Sequence, residues 1–172
     1  MARIDSFFKF MKEQKASDLH LSTGNQPMLR AGAEPYPVNP FHWFAVAETA
    51  VYYQTGSVNT RAETVDTSDQ DDVIFKPPVT PAVEAAKRSW LGRVYLDWAR
   101  FPLVTDRGPA NLVASDDLAP QPQDTAVEFR DLRFAYSLLS RNDRASSALT
   151  AWVYVTPAGA IDAMVMNNRL QK

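Results

Sequence analysis

With two histidines, twenty acidic residues and no cysteine, this 172-residue chain has a limited range of chemistry. His20 stands two residues from Asp18, and in a strand such positions share a face, so imidazole and carboxylate could meet. Ser17 or Ser22 could then be recruited to a Ser–His–Asp set, but neighbouring serines on one short strand do not supply triad geometry. Packing or turn hydrogen bonds account for both residues more simply. His42, between Phe41 and Trp43, is the second metal candidate; a site would need His20 and an Asp or Glu beside it. No H-x-H or H-E-x-x-H spacing supports one, and an ordinary sheet histidine is the default. The missing cysteines exclude a disulfide framework, a thiolate zinc site, an iron–sulfur cluster and a cysteine nucleophile. Glu63, Asp66, Asp69, Asp71 and Asp72 form an acidic stretch without the glycine a calcium loop needs, and read as a solvated loop. None of the six glycines belongs to a G-x-x-x-x-G-K-[ST] run, so no nucleotide site is expected.

One cluster remains. Arg93, Asp97 and Arg100 lie a turn apart on a predicted helix, so Asp97 can pair with either arginine. Arg130, Asp131 and Arg133 mirror that pattern on a predicted strand. Together they read as a helix–sheet charge network or, more sharply, as an anionic-ligand site bordered by Tyr95 and Arg133. No catalytic set is complete and no cofactor is expected. The balance leans away from an enzyme acting alone.

The elements that must position these residues follow from periodicity. Residues 4–15 set Ile4, Phe7, Phe8 and Met11 at helical spacing. Short strands are expected at Asp18–Leu21 and over 28–31, with a turn at 22–27. Pro35, Pro37 and Pro40 remove backbone donors, which places a junction in 32–40 and divides the chain into segments 1–33 and 34–172. A strand over 43–53, a turn at 54–57 around Gly56, and a strand over 58–65 come next, then a short strand at Val73–Phe75. One long helix is predicted from 81 to about 100 and ended by Pro102; Thr80 caps it and Pro81 takes its first position. Val83, Ala86, Trp90, Val94 and Trp98 form its apolar face, and Gly92, about 1 kcal/mol worse than Ala in a helix, implies close packing.

Residues 109–124 read as a loop. Val127 and Phe129 share one strand phase and Leu132, Phe134 and Tyr136 the other, so a bulge or break is expected near 130–131. Leu149, Ala151, Val153 and Val155 alternate with Trp152 and Tyr154, and a turn at 156–159 leads into Ile161–Met166. The predicted class is α+β: an antiparallel sheet packed against one long helix, with a short N-terminal helix–strand appendage.

An apolar content of 45% suffices for a core, while a net charge of −2 gives no general attraction for nucleic acid. No run approaches the roughly 20 apolar residues of a membrane helix, and Asp5, Lys9, Lys12 and Glu13 interrupt any secretory h-region. A soluble chain, cytoplasmic by default and without a direct membrane span, is expected. Trp43, Tyr52, Tyr53, Trp152 and Tyr154 would form a partner-binding strip if one sheet face were uncovered.

Two resemblances follow from specific residues. Ala16-Ser17-Asp18-Leu19-His20-Leu21, followed by Gln26-Pro27-Met28-Leu29-Arg30, resembles the start of the twitching-motility (type IV pilus retraction) ATPases, where such a segment helps assemble a hexameric cytoplasmic motor. That likeness stops near Gly32, before any phosphate-binding residues. Tyr36-Pro37-Val38-Asn39-Pro40-Phe41-His42-Trp43, Val46-Ala47-Glu48-Thr49, Tyr52-Tyr53, the run from Gly92 to Pro102, and Val127-Glu128-Phe129-Arg130-Asp131-Leu132-Arg133-Phe134 resemble the soluble C-terminal part of the bacterial membrane-bound metal-dependent hydrolases. Relatives often carry Arg and His where this chain has His42 and Phe44. That family's membrane helices and metal-ligand region precede this part.

These likenesses imply a non-catalytic accessory or binding domain with a membrane-protein or self-association partner. In it Trp90, Gly92, Trp98, Phe101 and Phe129 are expected to matter structurally. An assembly module of a pilus-type motor and a hydrolase with a cryptic His/Asp metal site are the alternatives.

Overall fold

The computed structural model describes residues 18–21, 29–36, 39–66, 73–112, 120–134, 149–167 and 169–171, with side chains from residue 41 onward. The expected helix over 4–15, the turn at 22–27, Tyr136, Asp69, Asp71 and Asp72 lie outside them. The chain divides into two compact units, Met1–Lys76 and Pro77–Lys172. Each is built on its own antiparallel sheet, so the molecule is mixed α+β but mostly β rather than one sheet on one helix.

The first unit is a meander of β1 (Asp18–Leu21), β2 (Leu29–Tyr36), β3 (Asn39–Glu48) and β4 (Tyr52–Asn59). β5 (Thr64–Asp66) and β6 (Val73–Phe75) both pair with β4, at its two ends. The junction expected in 32–40 is instead the β2–β3 hairpin, and residue 33 sits inside a strand. Proline is tolerated there because β1 reaches only to Gly32; beyond it β2 has the character of an edge, and its register shifts after Pro35.

The expected turn at 54–57 is also displaced. Gly56 lies within β4 opposite Ala45, and the chain reverses at Thr49. The Thr49 hydroxyl donates to the Tyr52 carbonyl at 2.8 Å and accepts the Tyr52 N–H at 3.0 Å, so a side chain closes the turn without glycine. Ala45, Val46, Ala47 and Tyr53 are the buried apolar residues of this sheet among those described. Lys76, just past β6, pairs with Glu48 at 2.7 Å and lies over the Tyr53 ring.

The second unit packs two short helices on a five-stranded meander. α1 (Pro81–Arg88) begins as expected: the Val83 N–H donates to the Thr80 hydroxyl, which itself donates to Asp106 at 2.8 Å. The long helix is overturned at Ser89, where the chain turns extended before α2 (Trp90–Trp98). Ser89 closes one helix and opens the next. Its N–H reaches the Ala85 and Ala86 carbonyls, its hydroxyl donates to Ala86 O at 2.7 Å, and the same oxygen accepts the Gly92 N–H at 3.0 Å. A Cβ on Gly92 would fall 2.1 Å from Ala86 O, so the expected close contact is with the end of α1.

The break also rotates the apolar face. Val83 and Ala86 are buried as expected, but α2 buries Leu91, Gly92 and Tyr95, leaving Trp90, Val94 and Trp98 on the outside.

Sheet order is β11-β10-β9-β8-β7, with β7 (Pro102–Pro109), β8 (Thr125–Asp131), β9 (Ala151–Val155), β10 (Ile161–Met166) and β11 (Arg169–Leu170). Val104, Val127, Phe129, Ala151, Val153 and Val155 pack with Val83, Ala85, Ala86, Leu91 and Tyr95 into the main core. Ala110, Ala126, Tyr154 and Val165 form a smaller second cluster. The phase change resolves as a strand end: β8 stops at Asp131 and the chain enters a 3-10 turn, Leu132–Phe134. Leu149 is not in the β9 strand as expected; it takes a φ of 71° in the turn before it. The middle of the expected loop, 113–119, falls outside the described residues, and its start is the end of β7 and a 3-10 turn at Ala110–Leu112. β7 is an outer strand bounded by Pro102 and Pro109, and its register breaks before Pro109, where Gly108 takes a φ of 79°.

Phe129→Ala should cost about 3–5 kcal/mol in urea unfolding, because the ring is fully buried in the main core. Gly92→Ala should cost about 1–3 kcal/mol, since backbone must shift to admit the methyl group.

Candidate functional site

The charged residues nominated from sequence divide among three places. Asp131, at the end of β8, has no exposed side-chain surface. Its Oδ2 accepts the Arg100 backbone N–H at 2.9 Å and the Arg133 Nε–H at 2.9 Å, and its Oδ1 accepts the Arg133 N–H at 3.0 Å. The Arg133 Nη2 completes the ion pair at 2.7 Å. Three hydrogen-bond donors and an ion pair on one carboxylate make Asp131 a fastening for the chain leaving α2 and the turn leaving β8.

Arg130 points the other way. It lies 3.6 Å from Glu128, whose Oε2 is also gripped by Nε and Nη2 of Arg107 on β7. Arg93 and Asp97 stand exposed on α2 and take no part in the ion pairs around Asp131. Arg100 contributes its backbone N–H to Asp131, and its side chain is exposed.

Tyr95, expected to border a ligand, is instead 2% exposed, and its hydroxyl donates to the Leu149 carbonyl at 2.9 Å. Burial first, then the Asp131 charge, pushes its pKa far above the usual phenol range, so it remains a neutral donor. This bond holds Leu149 in its left-handed conformation. The helix–sheet charge network therefore takes the form of an internal clamp.

Arg133 connects that clamp to the surface. Its guanidinium lies 5.1 Å from the Trp98 ring centre and 5.2 Å from that of Phe134. These two rings stack at 5.8 Å with an interplanar angle of 3°, and Tyr95 meets Trp98 edge-on. A buried carboxylate thus fixes an arginine, and the arginine steadies a half-exposed aromatic pair. Trp90, Val94 and Trp98, at four-residue steps on α2, are 50%, 48% and 44% exposed and extend the pair into an apolar stripe. Arg93, Arg100 and Arg133 flank it, with Asp97 alongside. Trp90 and Trp98 are therefore surface residues, whereas Gly92, Phe101 and Phe129 are buried as expected.

Of the five rings expected as one strip, Trp43, Tyr52 and Tyr53 belong to the first sheet and Trp152 and Tyr154 to the second, with Tyr53 and Tyr154 buried. His42 is half-buried opposite Asn59, and its Nε2 lies 2.9 Å from the Asn59 amide nitrogen, an ordinary cross-strand contact. His20 lies in β1 opposite Arg30; its side chain is outside the described atoms. Among the described residues no three His, Asp or Glu side chains gather where a metal ion could be held, and no helix is long and apolar enough to cross a membrane. Sequence reasoning missed Ser89, Arg107 and Glu128. The Ser89–Gly92 spacing carried a capping signal, but Arg107 and Glu128, 21 residues apart, meet only through strand register.

Comparison with protein-family models, curated proteins and solved structures returned no match.

Replacing Asp131 by Ala should cost about 3 kcal/mol or more in urea unfolding, because it strands Arg133 and two backbone donors. The near-ultraviolet circular dichroism of the Trp98–Phe134 pair should weaken in parallel.

Proposed function

We propose that this chain is a non-catalytic binding domain that docks a protein partner through the outer face of α2. On the resemblance of its larger segment, it would serve as an accessory part of a metal-dependent hydrolase. The observation that carries this reading is the exposed Trp90–Val94–Trp98 stripe with arginines beside it. Tryptophan and arginine dominate interface energetics, because each offers a large contact area with a polar or charged handle. Preorganisation adds to this: Trp98 is held by Phe134 and Arg133, so little freedom is lost when a partner covers it.

The partner surface that fits is an apolar strip bordered by carboxylates, which would pair with Arg93. A protein suits the stripe better than an anionic bilayer, since exposed Asp97 lies between Val94 and Trp98 and would be repelled by lipid phosphates.

A photoreactive benzophenone residue at Val94 of the full chain, in its native cells, tests this. Val79, which is 61% exposed, is the control position. The expected Val94 adduct is a single polypeptide whose crosslinked stretch joins apolar residues with Asp or Glu. Trp90→Ala combined with Trp98→Ala should cut its yield about tenfold or more, as for a pair of interface hot spots. Lipid adducts, equal labelling from Val79, or a yield indifferent to the paired substitution would reject the reading. Trp90→Ala alone should change unfolding stability little, about 0.5 kcal/mol or less, as its ring is half in solvent.

A further inference from the structure

An apolar strip with a carboxylate beside it, the surface that fits α2, is present in α2 itself. Trp90, Val94 and Trp98 form the strip, and Arg93 and Asp97 stand exposed next to it. Neither charge has an ion pair among the described residues. A helix turns about 100° per residue, so Arg93 and Asp97 share one flank of the strip. The buried Leu91 and Tyr95 take the other flank, against the core. The outward flank therefore carries one cation and one anion, a turn apart.

This pattern is complementary to itself about a two-fold axis. At a rise of about 1.5 Å per residue, the three apolar side chains recur about every 6 Å. Lay a second α2 antiparallel to the first, with the axis at the level of Tyr95. Each apolar side chain then falls about 3 Å along from one of the other copy's, and the two rows interleave. The same axis sets Arg93 of one copy level with Asp97 of the other, because each lies two residues from Tyr95. Both pairs form, since a two-fold axis brings like flanks together and repeats every contact. A parallel arrangement sets Arg93 against Arg93 and Asp97 against Asp97, and is repelled. Apolar register and charge register select one orientation.

We propose that a second copy of this chain is the partner of α2, bound antiparallel with the apolar rows interleaved and two Arg93–Asp97 pairs across the axis. This names the occupant of the docking face and rests on that reading. Trp98 enters the contact already held by Phe134 and Arg133, so little ordering remains to be done. The contact is small. α2 has nine residues, and two such helices bury less than the roughly 1,200 Å² at which stable interfaces begin. The association is therefore reversible, with a dissociation constant of about 10–100 µM.

Sedimentation velocity of the full chain, from about 5 µM to about 1 mM, brackets that constant and tests the pairing. Asp97→Arg and Arg93→Asp should each weaken self-association about tenfold or more, because like charges then meet across the axis. Mixed in equal amounts, the two variants should pair with one another, since each supplies the charges the other lacks. Both positions are exposed, so the fold tolerates either change. A chain that stays monomeric at about 1 mM, a dimer indifferent to both changes, or mixed variants that remain apart would overturn the proposal. A monomer whose Val94 position still captures a different polypeptide in cells overturns the second copy and leaves the docking face standing. A monomer with no Val94 adduct overturns both.

Discussion

The Asp131 carboxylate is the constraint on which the second unit depends. It gathers the Arg100 N–H, the Arg133 N–H and the Arg133 guanidinium, so two chain segments are tied to its two oxygens. Removing a donor leaves a buried charge less compensated, and removing the carboxylate leaves these donors without their acceptor. Charge-assisted bonds of this kind are short and strong because the partners are already desolvated. Through Arg133 the same carboxylate governs the outside, since the guanidinium it orients lies over Trp98 and Phe134. The buried carboxylate and the half-exposed aromatic pair are thus parts of one arrangement.

Ser89 decides which side of α2 reaches that surface. Its hydroxyl terminates one helix and starts the next, and the extended residue between them changes the helical phase. Had α1 run on unbroken, Trp90, Val94 and Trp98 would have continued the buried row begun by Val83 and Ala86. With the break, Leu91 and Tyr95 take the core positions and the tryptophans face water. Gly92 makes the joint feasible by leaving room for the Ala86 carbonyl.

Much of the local chemistry was legible in the sequence. The Thr80–Pro81 helix start, the turn into β10, the strand at Val73–Phe75 and the break after residue 130 all follow from short-range rules about caps, alternation and phase. What was not legible turned on side-chain hydroxyls and on strand register. The four-residue apolar spacing from Val83 to Trp98 persists across Ser89, so periodicity could not reveal that a hydroxyl outcompetes the backbone there. The Thr49 turn was hidden in the same manner, behind the more familiar turn residue Gly56. The prolines of 35–40 suggested a boundary between segments, whereas Pro35 sits at the edge-like end of β2. As for the candidate site, the sequence brought Asp131 and Arg133 forward, but their being bound to each other, and the pairing of Arg107 with Glu128, depend on a register that composition does not encode.

The margins of the second sheet bear on how this unit meets other molecules. β7 begins and ends in proline and loses its register at Gly108–Pro109, while the opposite margin, β11, is two residues long. An incoming strand would find missing donors on one side and hardly any ladder on the other. Strand addition is thereby disfavoured on both described flanks of this sheet. The same feature disfavours fusion of this sheet, margin to margin, into extended fibrils.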